Sequence, residues 1–219
     1  MPHMEGDAPG LKGLGTVPIY LMEKTPYGTF ECQSGPHNRK MIGELIETHP
    51  HGDFCEIGIF GGINMFALYD TCKKHNMGVI GIDPHDSIVC FNGVPASEIE
   101  DNLTSTRYPL WKKFRENIEK TITEHKLDIR YINDTSWNCH PLIKDESLSV
   151  LHIDGDHSYD GITKDFELFY PKMKNNGVIL VDDYTWDGVH RGTNDFVKKN
   201  NLKTELLNNG EYLKIFVEK

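Results

Sequence analysis

Short apolar runs separated by stretches of helical period constrain this chain more than any other feature. The runs are Phe54–Ile57, Gly78–Asp83, Asp128–Asn133, Ser147–Ile153 and Gly177–Val181. Between and around them, spacings such as Met41, Ile42, Leu45 and Ile46 predict a helix over His37–Thr48. Further helices are expected through Met65, Phe66, Leu68 and Tyr69, then over Pro109–Lys126, Ser158–Lys174 and Val189–Asn200. Strands alternating with helices imply a doubly wound α/β fold, with a parallel sheet covered on both faces. The chain ends on Leu202–Leu207, then Asn208-Asn209-Gly210, then Glu211–Val217, which predicts an antiparallel hairpin turned by Asn-Gly. With 219 residues, one domain over 37–219 is expected. Residues 1–36 are rich in Gly and Pro and read as an arm or lid. The polar stretch 84–107 reads as a long loop.

Charge narrows the partners. A formal net charge of −10 repels phosphate backbones, so nucleic acid is not an expected partner. The basic segment Trp111–Arg115 reads as the solvated face of a helix. No apolar run approaches the ~20 residues that span a bilayer, and no basic start precedes an apolar stretch, so no membrane partner is expected and the expected location is cytoplasmic. Five cysteines, with no Cys-x-x-Cys pair, argue for reduced and buried thiols rather than a disulfide framework or a zinc site. A homodimer is the default expectation for assembly.

The first run leads into Glu56-Ile57-Gly58-Ile59-Phe60-Gly61-Gly62. In open α/β sheets ligands sit at the carboxyl ends of strands. Glycines there allow a tight turn and a close ligand approach. The second run ends at Asp83, where a carboxylate can accept both hydroxyl protons of a ribose. The third ends in Asn133-Asp134-Thr135-Ser136, able to contact a base edge, with Trp137 able to stack on it. Phe60 breaks the Gly-x-Gly-x-x-Gly fingerprint of nicotinamide dinucleotides. Glu56 suits a cationic sulfonium better than a diphosphate. A tight turn with no ligand is the competing reading.

The fourth and fifth runs end on Asp154-Gly155-Asp156-His157 and on Asp182-Asp183. If these strands are neighbours, their ends lie about 4.8 Å apart. Asp154, Asp182 and Asp183 would then crowd, and a divalent cation relieves that repulsion. All-oxygen ligands favour Mg²⁺ or Mn²⁺ over zinc. Against this stands the ordinary use of Asp at strand ends: Asp156 could cap the helix starting near Ser158, and Asp183 could hold a loop. His157 and Asp156 are the two candidate proton acceptors. His152, inside its strand, reads as a satisfied core residue. Trp186, Arg191 and Asn194 are candidates for an acceptor pocket.

Ile153–Tyr159 ("IDGDHSY") and Gly177–Tyr184 ("GV-I-DDY"), with the turn Glu56–Gly62, resemble the class I S-adenosylmethionine-dependent methyltransferases. The resemblance is strongest to the branch that includes macrocin- and novobiocin-type sugar O-methyltransferases and cephalosporin hydroxylase-like proteins. Catechol O-methyltransferase is similar at a greater distance. The resemblance runs from about residue 37 to 200, with Asn64 where Ser or Thr is commoner. It implies a Rossmann-like, mostly parallel sheet of seven strands ending in the reversed hairpin, and a 37–219 methyltransferase domain. It implies S-adenosylmethionine held by Glu56, Gly58, Gly61, Asp83, Asp134, Ser136 and Asp154. It also implies Mg²⁺ (or Mn²⁺) on Asp154, Asp182 and Asp183, a base at Asp156 or His157, and transfer to a hydroxyl of a small-molecule acceptor.

Overall fold

A computed structural model of the chain describes residues 21–32, 36–85 and 101–219. Its centre is a seven-stranded sheet built from β3 (Asp53–Ile57), β4 (Val79–Ile82), β5 (Ile129–Ile132), β6 (Leu148–Ile153), β7 (Met173–Val181), β8 (Lys203–Leu207) and β9 (Tyr212–Phe216). The strand order is β5-β4-β3-β6-β7-β9-β8. The pairs from β5 to β7 are parallel, and β9 joins β7 antiparallel with β8 outside it. The order reverses beside β3, so the ends of β3, β4 and β6 converge on one crevice, where open α/β sheets bind ligands.

The helices are α1 (Pro36–Thr48), α2 (Ile63–Lys74), α3 (Asp101–His125), α4 (Ser136–Cys139), α5 (Tyr159–Phe169) and α6 (Asp187–Asn200). Strand residues alternate between two cores, which is why the central runs read as continuously apolar. Phe54, Val150, Val178 and Leu180 pack with α1 and α2 residues such as Ile42, Ile46 and Phe66. Cys55, Leu151, Ile153 and Ile179 pack with Ile162, Phe166 and Phe196 of α5 and α6. The same alternation puts Glu56 and His152, cross-strand partners in register, on the face of the first core.

Several expectations need correction. Residues 21–32 are an antiparallel hairpin, β1 (Leu21–Thr25) and β2 (Gly28–Cys32). Phe30 and Cys32, two apart on β2, are buried in the first core, and Phe30 stacks on Phe66 with ring centroids 4.4 Å apart. That alternation is too short to register amid the surrounding Gly and Pro. The rest of the 1–36 segment that lies outside α1 and this hairpin is outside the described residues. Helix α3 begins at Asp101, not Pro109, because proline mimics a first helical position; 86–100 of the expected loop lie outside the described residues. Helix α5 stops at Phe169, before Tyr170-Pro171, and β7 begins at Met173 rather than Gly177. The one-turn α4 had no periodicity to reveal it.

Lys112 and Lys113 are exposed beside buried Phe114, as a solvated helix face requires. Cys32, Cys55, Cys72 and Cys139 are buried and form no disulfide; Cys90 lies outside the described residues. No helix among the described residues is long and apolar enough to cross a membrane.

Candidate active site

The turn after β3 is stitched to both neighbouring strands. Gly58 N–H donates to Ile82 O, and Asp154 N–H donates to Ile57 O, each at 2.9 Å. Gly58 has φ +84°, and a Cβ there would lie 1.9 Å from the Asp154 carbonyl oxygen. Its glycine is therefore required by the end of β6, a reason the sequence reading did not supply. Gly61 likewise makes room for the hairpin: a Cβ would lie 2.4 Å from the Glu31 carbonyl oxygen. Between them Phe60 is left-handed at φ +48°. Its N–H donates to Asp83 Oδ2 at 2.8 Å, and its carbonyl lies 2.8 Å from Nε2 of buried His85. That carbonyl requires a proton on Nε2, and Nδ1 is hydrogen-bonded to the Tyr131 hydroxyl at 2.6 Å. Asp83 thus holds the turn, and burial raises its pKa despite His85 and the backbone N–H groups of Phe60 and Ile59.

Glu56 is 1 % exposed. Its Oε1 accepts from Asn64 Nδ2 at 2.6 Å and from His152 Nδ1 at 2.8 Å. Its Oε2 is a buried acceptor with no hydrogen-bond partner, which fits a cationic, donor-bearing ligand. Asp134 and Thr135 form the start of α4: Thr135 accepts from Asn138 N–H, and Asp134 Oδ1 from Asn138 Nδ2 at 3.0 Å. The Ser136 hydroxyl is already committed, donating to Asp165 Oδ1 at 2.5 Å. Asp165, on α5, is buried, and burial lifts its pKa to about 7 despite that bond and one from Trp137. Sequence reading missed this carboxylate, since one Asp in a helix carries no signal by itself. Trp137 lies under Lys164 Nζ, 3.8 Å from the ring centroid.

Strands β6 and β7 are neighbours, so Asp154 and the Asp182-Asp183 pair do meet. They meet in two groups that share Asp154. His152, Asp154 and Asp182 each offer a ligand atom within 4.8 Å of the others, and so do Asp154, His157 and Asp183. Burial and Asp182 raise the Asp154 pKa to about 7; burial also raises that of Asp183. Asp182 accepts from Asp183 N–H at 2.8 Å and from Asn38 Nδ2, on α1, at 2.9 Å. His157 Nε2 stands 3.6 Å from Asp154 Oδ1 and 3.3 Å from Asp183 Oδ2, and its ring lies 4.8 Å from that of Trp186. Burial opposes charging of His157, but Asp154 and Asp183 outweigh it and raise its pKa.

Asp156 Oδ1 accepts from Ser158 N–H at 2.9 Å, and Ser158 caps α5. The cap is therefore Ser158, whose hydroxyl accepts from Gly161 N–H, and Asp156 braces the residue before the helix instead of capping it. His152 is fully buried but is not a satisfied core residue: Nε2 lacks a hydrogen-bond partner and lies 3.6 Å from Asp182 Oδ2. Burial disfavours its charge, yet Asp182 and Glu56 raise its pKa to about 10. Strand alternation held the clue, because it places Glu56, His152 and Asp182 on one face. Arg191 pairs with Asp187 and Asn194 with Tyr184, both on or beside α6.

The glycine turn after β3 thus touches the end of β6 at Asp154 and the end of β4 at Asp83. Residues 55–184 match the model of the family described as "Methyltransferase domain". The chain belongs to that family. Its fold is that of the class I methyltransferases. An uncharacterised protein of Acanthamoeba polyphaga mimivirus is 32% identical over 152 residues, covering 66% of this methyltransferase and 58% of that protein. The methyltransferase thus spans a little over half the length of this curated relative. Among solved structures, the O-methyltransferase NovP superposes with TM-score 0.61 at 17% identity, covering 84% of this chain and 79% of NovP. The S-adenosylhomocysteine-bound methyltransferase PaMTH1 of Podospora anserina gives TM-score 0.62 at 11% identity, covering 85% and 80%.

Proposed function

We propose that this enzyme transfers the methyl group of S-adenosylmethionine to a hydroxyl of a small molecule, with a divalent metal at the acidic cluster. The observation that carries this reading is the contact between Gly58 and the Asp154 carbonyl, which joins the cofactor turn and the acidic cluster into one site. NovP, an O-methyltransferase of the same fold, supports the oxygen acceptor.

The buried, unpartnered Glu56 Oε2 fits a cationic cofactor, and Asp83, at the end of β4, is placed to meet a ribose hydroxyl. Asp134 and α4 border the same crevice, and Gly61 keeps the turn under the hairpin. Asp154, Asp182 and Asp183 carry the charge that would hold a metal ion. When bound, the cofactor supplies an electrophilic methyl group and the metal supplies positive charge that acidifies a coordinated hydroxyl. His157, between Asp154 and Asp183, takes the hydroxyl proton once its own has been lost; Asp154 and Asp183 then stabilise the imidazolium. Asp156 is tied to the α5 cap, which favours His157 as the base. The Trp186 ring beside His157 offers an apolar wall for a sugar or phenol ring. Alignment of acceptor and donor supplies much of the remaining rate.

The test is transfer of radiolabelled methyl from S-adenosylmethionine to a panel of vicinal diols and catechols, with and without excess EDTA. We expect labelled methyl ethers, abolished by EDTA and restored by added metal. Turnover undiminished in EDTA removes the metal from this reading; cofactor binding with label only on nitrogen removes the hydroxyl acceptor.

A further inference from the structure

We propose that the metal bound at this cluster takes a nitrogen ligand, Nε2 of His152, together with oxygens of Asp154 and Asp182, and that the site accordingly selects a borderline transition-metal ion such as Mn²⁺, Fe²⁺ or Co²⁺ over Mg²⁺. This deepens the metal reading above and rests on it. Three features carry it. First, the Glu56 carboxylate, an acceptor only, lies 2.8 Å from His152 Nδ1 and fixes the ring's donor on that side. A carboxylate that grips one imidazole nitrogen while the other faces the metal is the usual way a histidine ligand is oriented. Second, Nε2 is buried and has no hydrogen-bond partner, although it lies 3.6 Å from Asp182 Oδ2. A polar atom left this way costs free energy unless a ligand completes it. Third, His152, Asp154 and Asp182 each offer a ligand atom within 4.8 Å of the others. Imidazole suits first-row transition metals, whereas Mg²⁺ prefers oxygen and water. Glu56, read from the sequence as a cofactor contact, thereby also orients a metal ligand.

Two binding measurements test this on the full chain, stripped with chelator and free of cofactor. Pulsed electron paramagnetic resonance of the Mn²⁺-loaded protein should show nitrogen coupling from a directly bound imidazole. The coupling should persist in His157→Gln, which removes the other histidine of the cluster and leaves the buried ring untouched. Calorimetry should show Mn²⁺ bound in preference to Mg²⁺, with Mn²⁺ affinity falling about ten- to hundredfold in Glu56→Gln. Bound Mn²⁺ without nitrogen coupling, or coupling lost in His157→Gln, overturns the His152 assignment and leaves the metal reading standing. Failure of both ions to bind overturns both.

Discussion

The turn after β3 and the loops after β6 and β7 meet in one crevice but are held by different forces. In the turn, polar groups answer one another: Asp83 takes the Phe60 N–H, His85 faces the Phe60 carbonyl, and Gly58 N–H reaches Ile82. Its shape is set by close packing, since the Gly58 hydrogen occupies space no carbon could. The acidic loops are set by charge. Asp154 and Asp183 have raised pKa values, and two histidines stand among them at ion-pair distances. The turn is a rigid part whose sterics decide its tolerance, and the cluster is a responsive part whose protonation and ligands decide its state.

The largest expected break in that contrast is Gly58→Ala. A Cβ within 1.9 Å of a backbone oxygen, at φ +84°, forces β3 and β6 apart, and we expect a loss of roughly 3–5 kcal/mol in urea unfolding. A cost below ~1 kcal/mol contradicts a turn governed by sterics.

A smaller effect comes from pH. Asp165 titrates near 7 in the folded protein against an ordinary 3.8, so the folded state binds more protons than the unfolded one between those values. Its contribution is present below pH ~4 and is lost as pH rises through ~7, a few kcal/mol at most. Asp154 acts in the same direction. Metal-free protein should therefore lose stability from pH 4 to 7 through these groups, and Asp165→Asn should flatten the slope in thermal melts. A slope unchanged in that variant removes Asp165 from the account.

The smallest effect on stability is expected from His157→Gln, at most about 1 kcal/mol, since this ring bridges carboxylates at the edge of the crevice. Its turnover should nevertheless fall by about 10²–10⁴ if it is the base. A variant that melts normally and turns over normally transfers that role to Asp156.

Much of this architecture was legible because the apolar runs of β3 to β7 and the Asn-Gly turn of the terminal hairpin are local signals. That Asp154 meets the Asp182-Asp183 pair was legible because the neighbouring strands end together, but the split into two groups, one with His152 and one with His157, was not. What escaped depends on contacts between distant residues. The need for Gly58 comes from Asp154, the Ser136 hydroxyl is claimed by Asp165, and His152 acquires its meaning from Glu56 across the strand pair. Helix α4 and the β1–β2 hairpin are too short to carry a period, and Pro109 looks like a helix start while lying inside α3.

The hydrogen bond from Asn38 to Asp182 joins residues 144 positions apart. It clamps an acidic group of the last parallel strand to the first helix, so the loop-closure cost of this contact must be met before the crevice is complete. The β3–α2 turn also closes against distant residues, Ile82, Asp83 and Asp154. A nascent or truncated chain that ends before β7 lacks Asp182 and Asp183, and with them the cluster's second wall and the partner of Asn38.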